Sequence, residues 1–119
     1  MAFTSEFTVN RERLIEQLAD LVRIDSTNPG LVPDGAGEAA VAEYVAEAMR
    51  EIGLEVDVWE PEPGRPNVVG VLPGTGGGRS LMLNAHTDTV GVEGMDDPFM
   101  PRIEDGRMYG RGTQDMKGS

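Results

Sequence analysis

Apolar residues recur at helical spacing in two segments of the N-terminal half. Leu14, Ile15, Leu18, Leu21 and Val22 share one face, and Asn10 stands where a side-chain oxygen can cap the first turn. A helix is therefore expected from Asn10 to about Ile24. The run Asp25-Ser-Thr-Asn-Pro29-Gly30 breaks it, because Pro29 and Gly30 cannot continue a helix, and a loop follows through Pro33, Asp34 and Gly35. A second helix is expected from about Glu38 to Ile52, with Val41, Tyr44, Val45, Ala48, Met49 and Ile52 on its apolar face and Gly53 as its stop.

The period then changes to two. Leu54, Val56 and Val58 alternate with Glu55, Asp57 and Trp59, as in a half-exposed strand. Pro61 to Pro66 reads as a turn and Asn67 to Leu72 as a second strand. Ser80 to Ala85 reads as a third, apolar enough to be central in a sheet. Met100 to Tyr109 reads as a hairpin turning on Asp105-Gly106. Helices followed by strands, the last ending in chemistry-bearing residues, predict an α/β fold with ligands at a strand's carboxyl end.

Charge narrows the partners. The sequence holds 10 Lys and Arg against 21 Asp and Glu, a net charge of −11. That balance argues against nucleic acid, whose phosphates demand a basic face, and against an anionic membrane surface. Cysteine is absent, so disulfides and thiolate metal sites are excluded, and any metal must be held by oxygen and imidazole. A cysteine-free chain fits a reducing, cytoplasmic setting. The opening Met-Ala-Phe-Thr-Ser-Glu-Phe lacks the basic flank and apolar run of a signal peptide, and no stretch reaches transmembrane length.

The chemistry concentrates in two runs. In Leu81-Met-Leu-Asn-Ala-His86-Thr-Asp88-Thr-Val90 the chain's single histidine precedes an aspartate by two residues. In an extended chain both then point to the same side, so the carboxylate can orient or polarise its neighbour. Capping of a strand end by Thr87-Asp88-Thr89 accounts for the same residues without chemistry. The second run, Tyr109-Gly-Arg-Gly-Thr-Gln-Asp115-Met-Lys-Gly118, adds a carboxylate 29 residues after His86. Its two glycines permit close backbone approach, although an ordinary surface turn would also use them. The loop Gly74-Thr-Gly-Gly-Gly78 has the glycines of a phosphate cradle but opens onto a predicted strand where such a loop needs a helix.

Together the two runs, in this order and spacing, resemble the M20 family of zinc metallopeptidases and deacylases. That family includes acetylornithine deacetylase, succinyl-diaminopimelate desuccinylase, aminoacylase and glutamate carboxypeptidase-type enzymes. Ser26-Thr-Asn-Pro29 and the Asp-Gly hairpin resemble the family too, so the likeness runs from about Arg11 to Gly118. It implies a three-layer α/β sandwich of the zinc-exopeptidase type. It implies that His86 binds one of two zinc ions, for which cobalt or manganese can substitute, and that Asp115 bridges both. Asp88 then serves the catalytic site by holding the His86 ring, and a cis peptide is expected at Asp115-Met116. Two divalent ions about 3.5–4 Å apart can share a hydroxide and polarise an amide carbonyl, which suits small peptide or N-acyl amino acid substrates.

The resemblance also implies parts to which no residue here corresponds. These are a Glu-Glu pair supplying the general base and a ligand, a further Asp or Glu, a late His, and an inserted lid domain that often carries the dimer interface. Glu93 and Glu104 do not match those positions. Residues 1–119 are accordingly expected to be the N-terminal portion of the catalytic domain, inactive alone and either self-associating or marginally stable, since apolar surface is left uncovered. The competing reading is a non-catalytic binding module that keeps the front half of the fold.

Overall fold

The computed structural model describes residues 7–119. Residues 1–6, which carry most of the segment read above for a signal peptide, lie outside the described residues. The architecture is mixed, with two helices followed by two small antiparallel sheets.

Helix α1 spans Arg11–Arg23 and begins as its sequence dictates, with Asn10 Oδ1 accepting from the Arg13 backbone N–H at 3.0 Å. Helix α2 spans Ala39–Glu51. Val22 of α1 and Val41 of α2 are fully buried, each stabilising the fold by about 1.5–3 kcal/mol. Around them lie Ala19, Ala42 and Ala46. The buried face of α2 is thus rotated from the expected one: the small Ala42 and Ala46 sit inside, while Ile52 is exposed. Alanine allows closer approach of the helix to its neighbours than the larger apolar residues would, which pattern reading alone does not weigh.

Helix α2 packs against a hairpin of β1 (Glu55–Glu62) and β2 (Arg65–Val71). Pairing runs from Glu55↔Val71 to Glu62↔Arg65 with an irregularity after Trp59. The strands are therefore longer than predicted, and the turn between them shrinks from Pro61–Pro66 to Pro63-Gly64. Edge positions tolerate the prolines that argued for a wider turn. Glu38, at the entry to α2, is tied to β2 by Arg65, whose Nη2 and Nε donate to its two carboxylate oxygens at 2.7 and 2.9 Å. A second hairpin, β3 (Arg102–Glu104) with β4 (Arg107–Tyr109), turns on Asp105-Gly106, both at positive φ as the turn demands.

The expected central strand at Ser80 to Ala85 does not form. No ladder partner reaches it among the described residues, and Leu81, Met82 and Leu83 are 85, 82 and 88% exposed. A strand exists only through the hydrogen bonds of its neighbours, so an apolar run without a partner stays an extended, unpaired segment. The loop at Gly74–Gly78 leads into this segment and not into a helix, which removes the phosphate-cradle reading.

Candidate metal-binding site

The segment after α1 and the segment after His86 run side by side through a parallel bridge between Thr27 and Thr89. Thr89 N–H donates to the Ser26 carbonyl at 3.0 Å, and Asn28 N–H donates to the Thr89 carbonyl at 2.9 Å. Ser26 Oγ donates to the Thr87 carbonyl at 2.7 Å. Ser26, Thr27 and Thr89 are buried; their backbone bridge and the Ser26 and Thr27 hydroxyls are paired, while Thr89 Oγ1 has no partner among the described residues, and the backbone pairing fixes the segment that carries His86 and Asp88.

The third partner arrives from the C-terminal turns. Arg111 N–H donates to the Pro98 carbonyl at 2.7 Å and its Nε to the Gly91 carbonyl at 3.1 Å. Gly110 and Gly112 let this loop settle against the core. A Cβ at Gly110 would stand 2.5 Å from Val22 Cγ1; at Gly112, where φ is +85°, it would stand 2.9 Å from Thr89 Cγ2. The Gly-Arg-Gly run is therefore a close-packing device, beyond an ordinary surface turn. Lys117 Nζ donates to the Leu21 and Ile24 carbonyls, both at 2.7 Å, binding the same loop to the end of α1. Burial, partly opposed by the charge of Asp25, pushes this ammonium down to about 8. The Asp115-Met116 peptide is cis.

These constraints bring all three expected residues together. His86 Nδ1 lies 3.1 Å from both the carboxylate Oδ1 and the backbone carbonyl of Asp88. His86 Nε2 lies 3.0 Å from Asp115 Oδ1. The Asp88 carbonyl only accepts, so Nδ1 donates to it; Asp115 Oδ1 is an acceptor too, so Nε2 faces it through the second proton of the charged ring, and Nε2 is the nitrogen a cation would take in that proton's place. Burial lowers the imidazole pKa, but the Asp88 carbonyl, the Asp88 charge and Asp115 outweigh it, leaving the pKa above its ordinary 6.5. The ring is half exposed and Asp115 largely exposed, so the pair faces solvent.

The donor set suits zinc, which takes imidazole nitrogen and carboxylate oxygen at about 2.0–2.2 Å. Two such donors at a tetrahedral ion stand about 3.3 Å apart by that geometry, close to the observed 3.0 Å. The set is also incomplete. No group of three or more His, Cys, Asp or Glu able to hold a metal occurs among the described residues. Sequence reasoning missed Asn28, whose Nδ2 donates to Asp88 Oδ2 at 2.7 Å. The available signal was a potential Asx turn in Asn28-Pro-Gly, observed as the Gly30 N–H donating to Asn28 Oδ1 at 2.8 Å.

Residues 82–119, which contain His86, Asp88 and Asp115, match the peptidase family M20/M25/M40. The chain is 34% identical over 115 residues to N-formyl-4-amino-5-aminomethyl-2-methylpyrimidine deformylase of Bacillus subtilis (strain 168), covering 92% of this chain and 26% of that protein. It is 39% identical over 106 residues to acetylornithine deacetylase of Vibrio campbellii, covering 87% of this chain and 27% of that protein. With cysteinylglycine-S-conjugate dipeptidase of Corynebacterium striatum it shares 31% identity over 117 residues, covering 94% and 25%. The chain thus spans about a quarter of the length of these curated relatives. Among the described residues no helix is long and apolar enough to cross a membrane.

Proposed function

The chain belongs to the peptidase family M20/M25/M40, and from that premise we propose that it is the N-terminal part of a zinc-dependent hydrolase acting on amide bonds of small peptides or N-acyl amino acids. The observation that carries the reading is the convergence of His86 Nε2 and Asp115 Oδ1 at 3.0 Å, with Asp88 holding the far side of the ring. Relatives described as a deformylase, a deacetylase and a dipeptidase support the substrate class. In the whole enzyme the sheet would be completed into the three-layer sandwich that the family resemblance implies. A cytoplasmic setting is consistent with the cysteine-free sequence.

His86 and Asp115 would hold the metal. Bound zinc, two ions in the family, would supply an activated water and polarise the scissile carbonyl. Asp88 accepts a hydrogen bond from Nδ1–H of His86, which leaves Nε2, aimed toward Asp115, as the nitrogen that would bind a cation in place of its proton. Asp115 offers two carboxylate oxygens, enough to serve two cations from one side chain.

Two donors fall short of the three that catalytic zinc sites take from protein, so these residues alone would bind zinc weakly and turn nothing over. Titration calorimetry of the chain with zinc tests this. Weak binding that His86→Ala abolishes is expected. Submicromolar affinity, or turnover of an N-acyl amino acid, would contradict the proposed inactivity of the chain alone; no response of His86 to zinc would remove the metal reading.

A further inference from the structure

Asn28 is joined to the candidate site by a geometry that neither the sequence motifs nor the relatives assign. Its side-chain amide is held at both ends. Oδ1 accepts the Gly30 N–H at 2.8 Å, which leaves Nδ2 as the group donating to Asp88 Oδ2 at 2.7 Å. Its backbone is fixed as well, with Asn28 N–H donating to the Thr89 carbonyl at 2.9 Å. The loop around it is tight: a Cβ at Gly35 would lie 2.7 Å from the Thr27 carbonyl oxygen and 3.0 Å from the Asn28 carbonyl carbon.

We propose that Asn28 is a positioning residue that acts on His86 through Asp88, fixing the carboxylate so that Oδ1 faces Nδ1 and Nε2 is left as the metal-facing nitrogen. The proposal rests on the reading of His86 as a ligand. The Asp88 carboxylate has two oxygens and one free side-chain torsion beyond its rotamer. By occupying Oδ2, the Asn28 amide sets that torsion, and Oδ1 then falls 3.1 Å from Nδ1. Without the amide the carboxylate can turn away. The ring then keeps only the Asp88 backbone carbonyl, and a proton on Nε2 facing Asp115 competes with the one on Nδ1. Outer partners of this type contribute about 10–100-fold to metal affinity elsewhere.

His86 is the only histidine of the chain, so the nitrogen shifts of one ring report the tautomer directly. The spectrum is recorded on the metal-free 119-residue chain above the titration of the ring, and zinc is then added to the same sample. Asn28→Asp keeps the acceptor for Gly30 N–H but loses the donor to Asp88; Asn28→Ala loses both. The wild-type ring should carry its proton on Nδ1. Both variants should shift the proton toward Nε2 and weaken zinc binding by about tenfold or more. A wild-type ring protonated on Nε2 overturns the proposal, and this outcome does not depend on how the variants fold. So does an Asn28→Asp ring identical to wild type while Asn28→Ala differs, because Asn28 then only shapes the loop. A wild-type ring that ignores zinc instead defeats the metal reading, and the tautomer result still decides the role of Asn28.

Discussion

His86 Nε2 meets Asp115 Oδ1 at 3.0 Å across 29 residues of sequence, while Nδ1 of the same ring faces Asp88. The imidazole therefore stands between two carboxylates and holds its proton above the ordinary 6.5 despite some burial. The folded-state pKa is raised, so the stabilisation is fully present below 6.5 and is lost as pH rises through the folded value. Ring titration by NMR should show the raised value in the metal-free chain and a lower one in Asp115→Asn. Zinc should suppress the titration, because a cation displaces the Nε2 proton. A ring that titrates identically in wild type and Asp115→Asn would show that the pair does not form in solution.

Lys117 supplies a prediction of the opposite sign. Its folded value near 8 lies below the ordinary 10.5, so between those values the unfolded chain binds more protons. Stability should rise with pH from about 8 to about 10.5, and the rise should vanish in Lys117→Met. A neutral amine keeps two N–H donors, enough for the Leu21 and Ile24 carbonyls, so deprotonation leaves the contacts in place. Lys117→Met leaves those carbonyls short of a donor and should cost about 1–3 kcal/mol at neutral pH. Denaturant melts across pH measure both effects.

The helices and the Asp105-Gly106 turn were legible because their signals are local. Asn10 caps from three residues away, and a positive-φ pair dictates its own turn. The segment 80–85 was misread because a strand is a relation between segments, and apolar content says nothing of whether a partner is present. His86, Asp88 and Asp115 were recognisable as chemical types at a spacing. Asn28 was not, because it meets Asp88 only after the Thr27–Thr89 bridge closes a separation of 60 residues. The Arg65 and Glu38 pairing was hidden for the same reason, being set by how α2 docks on its hairpin.

That pair invites its own measurement. The Glu38 side chain is 7% exposed and Arg65 30%, against 68 and 46% for Glu51 and Arg13 in the exposed bridge between the helices. Removing one partner of a buried pair strands the other's charge, whereas an exposed pair contributes little. Arg65→Met should destabilise the fold markedly more than Arg13→Met in chemical denaturation, because it is Glu38 that is left buried without a counter-charge. Equal effects would show that burial does not set the strength of the Glu38 contact.

The glycines around Arg111 separate strain from contact. Gly112→Ala meets both a positive φ and a Cβ 2.9 Å from Thr89 Cγ2, while Gly76→Ala meets a positive φ with nothing within 4 Å. The first should lose about 2–4 kcal/mol and the second about 1–2 kcal/mol. Because Thr89 lies on the bridge to Thr27, Gly112→Ala should also disturb the His86 ring signals, and Gly76→Ala should leave them unchanged.

Leu81, Met82 and Leu83 stand exposed in an extended segment whose backbone finds no ladder partner among the described residues. An apolar stretch with free N–H and C=O groups is a template for pairing with another chain. The chain should therefore associate with itself as concentration rises, notwithstanding a net charge of −11 that keeps molecules apart at low salt. Raising the salt should strengthen association by screening that repulsion. Leu81→Lys with Leu83→Lys should weaken it, because a charge on such a segment opposes intermolecular pairing. Sedimentation velocity across concentration and salt reads all three effects. A chain that stays monomeric at high salt, or associates equally with both lysines in place, would locate the sticky surface elsewhere.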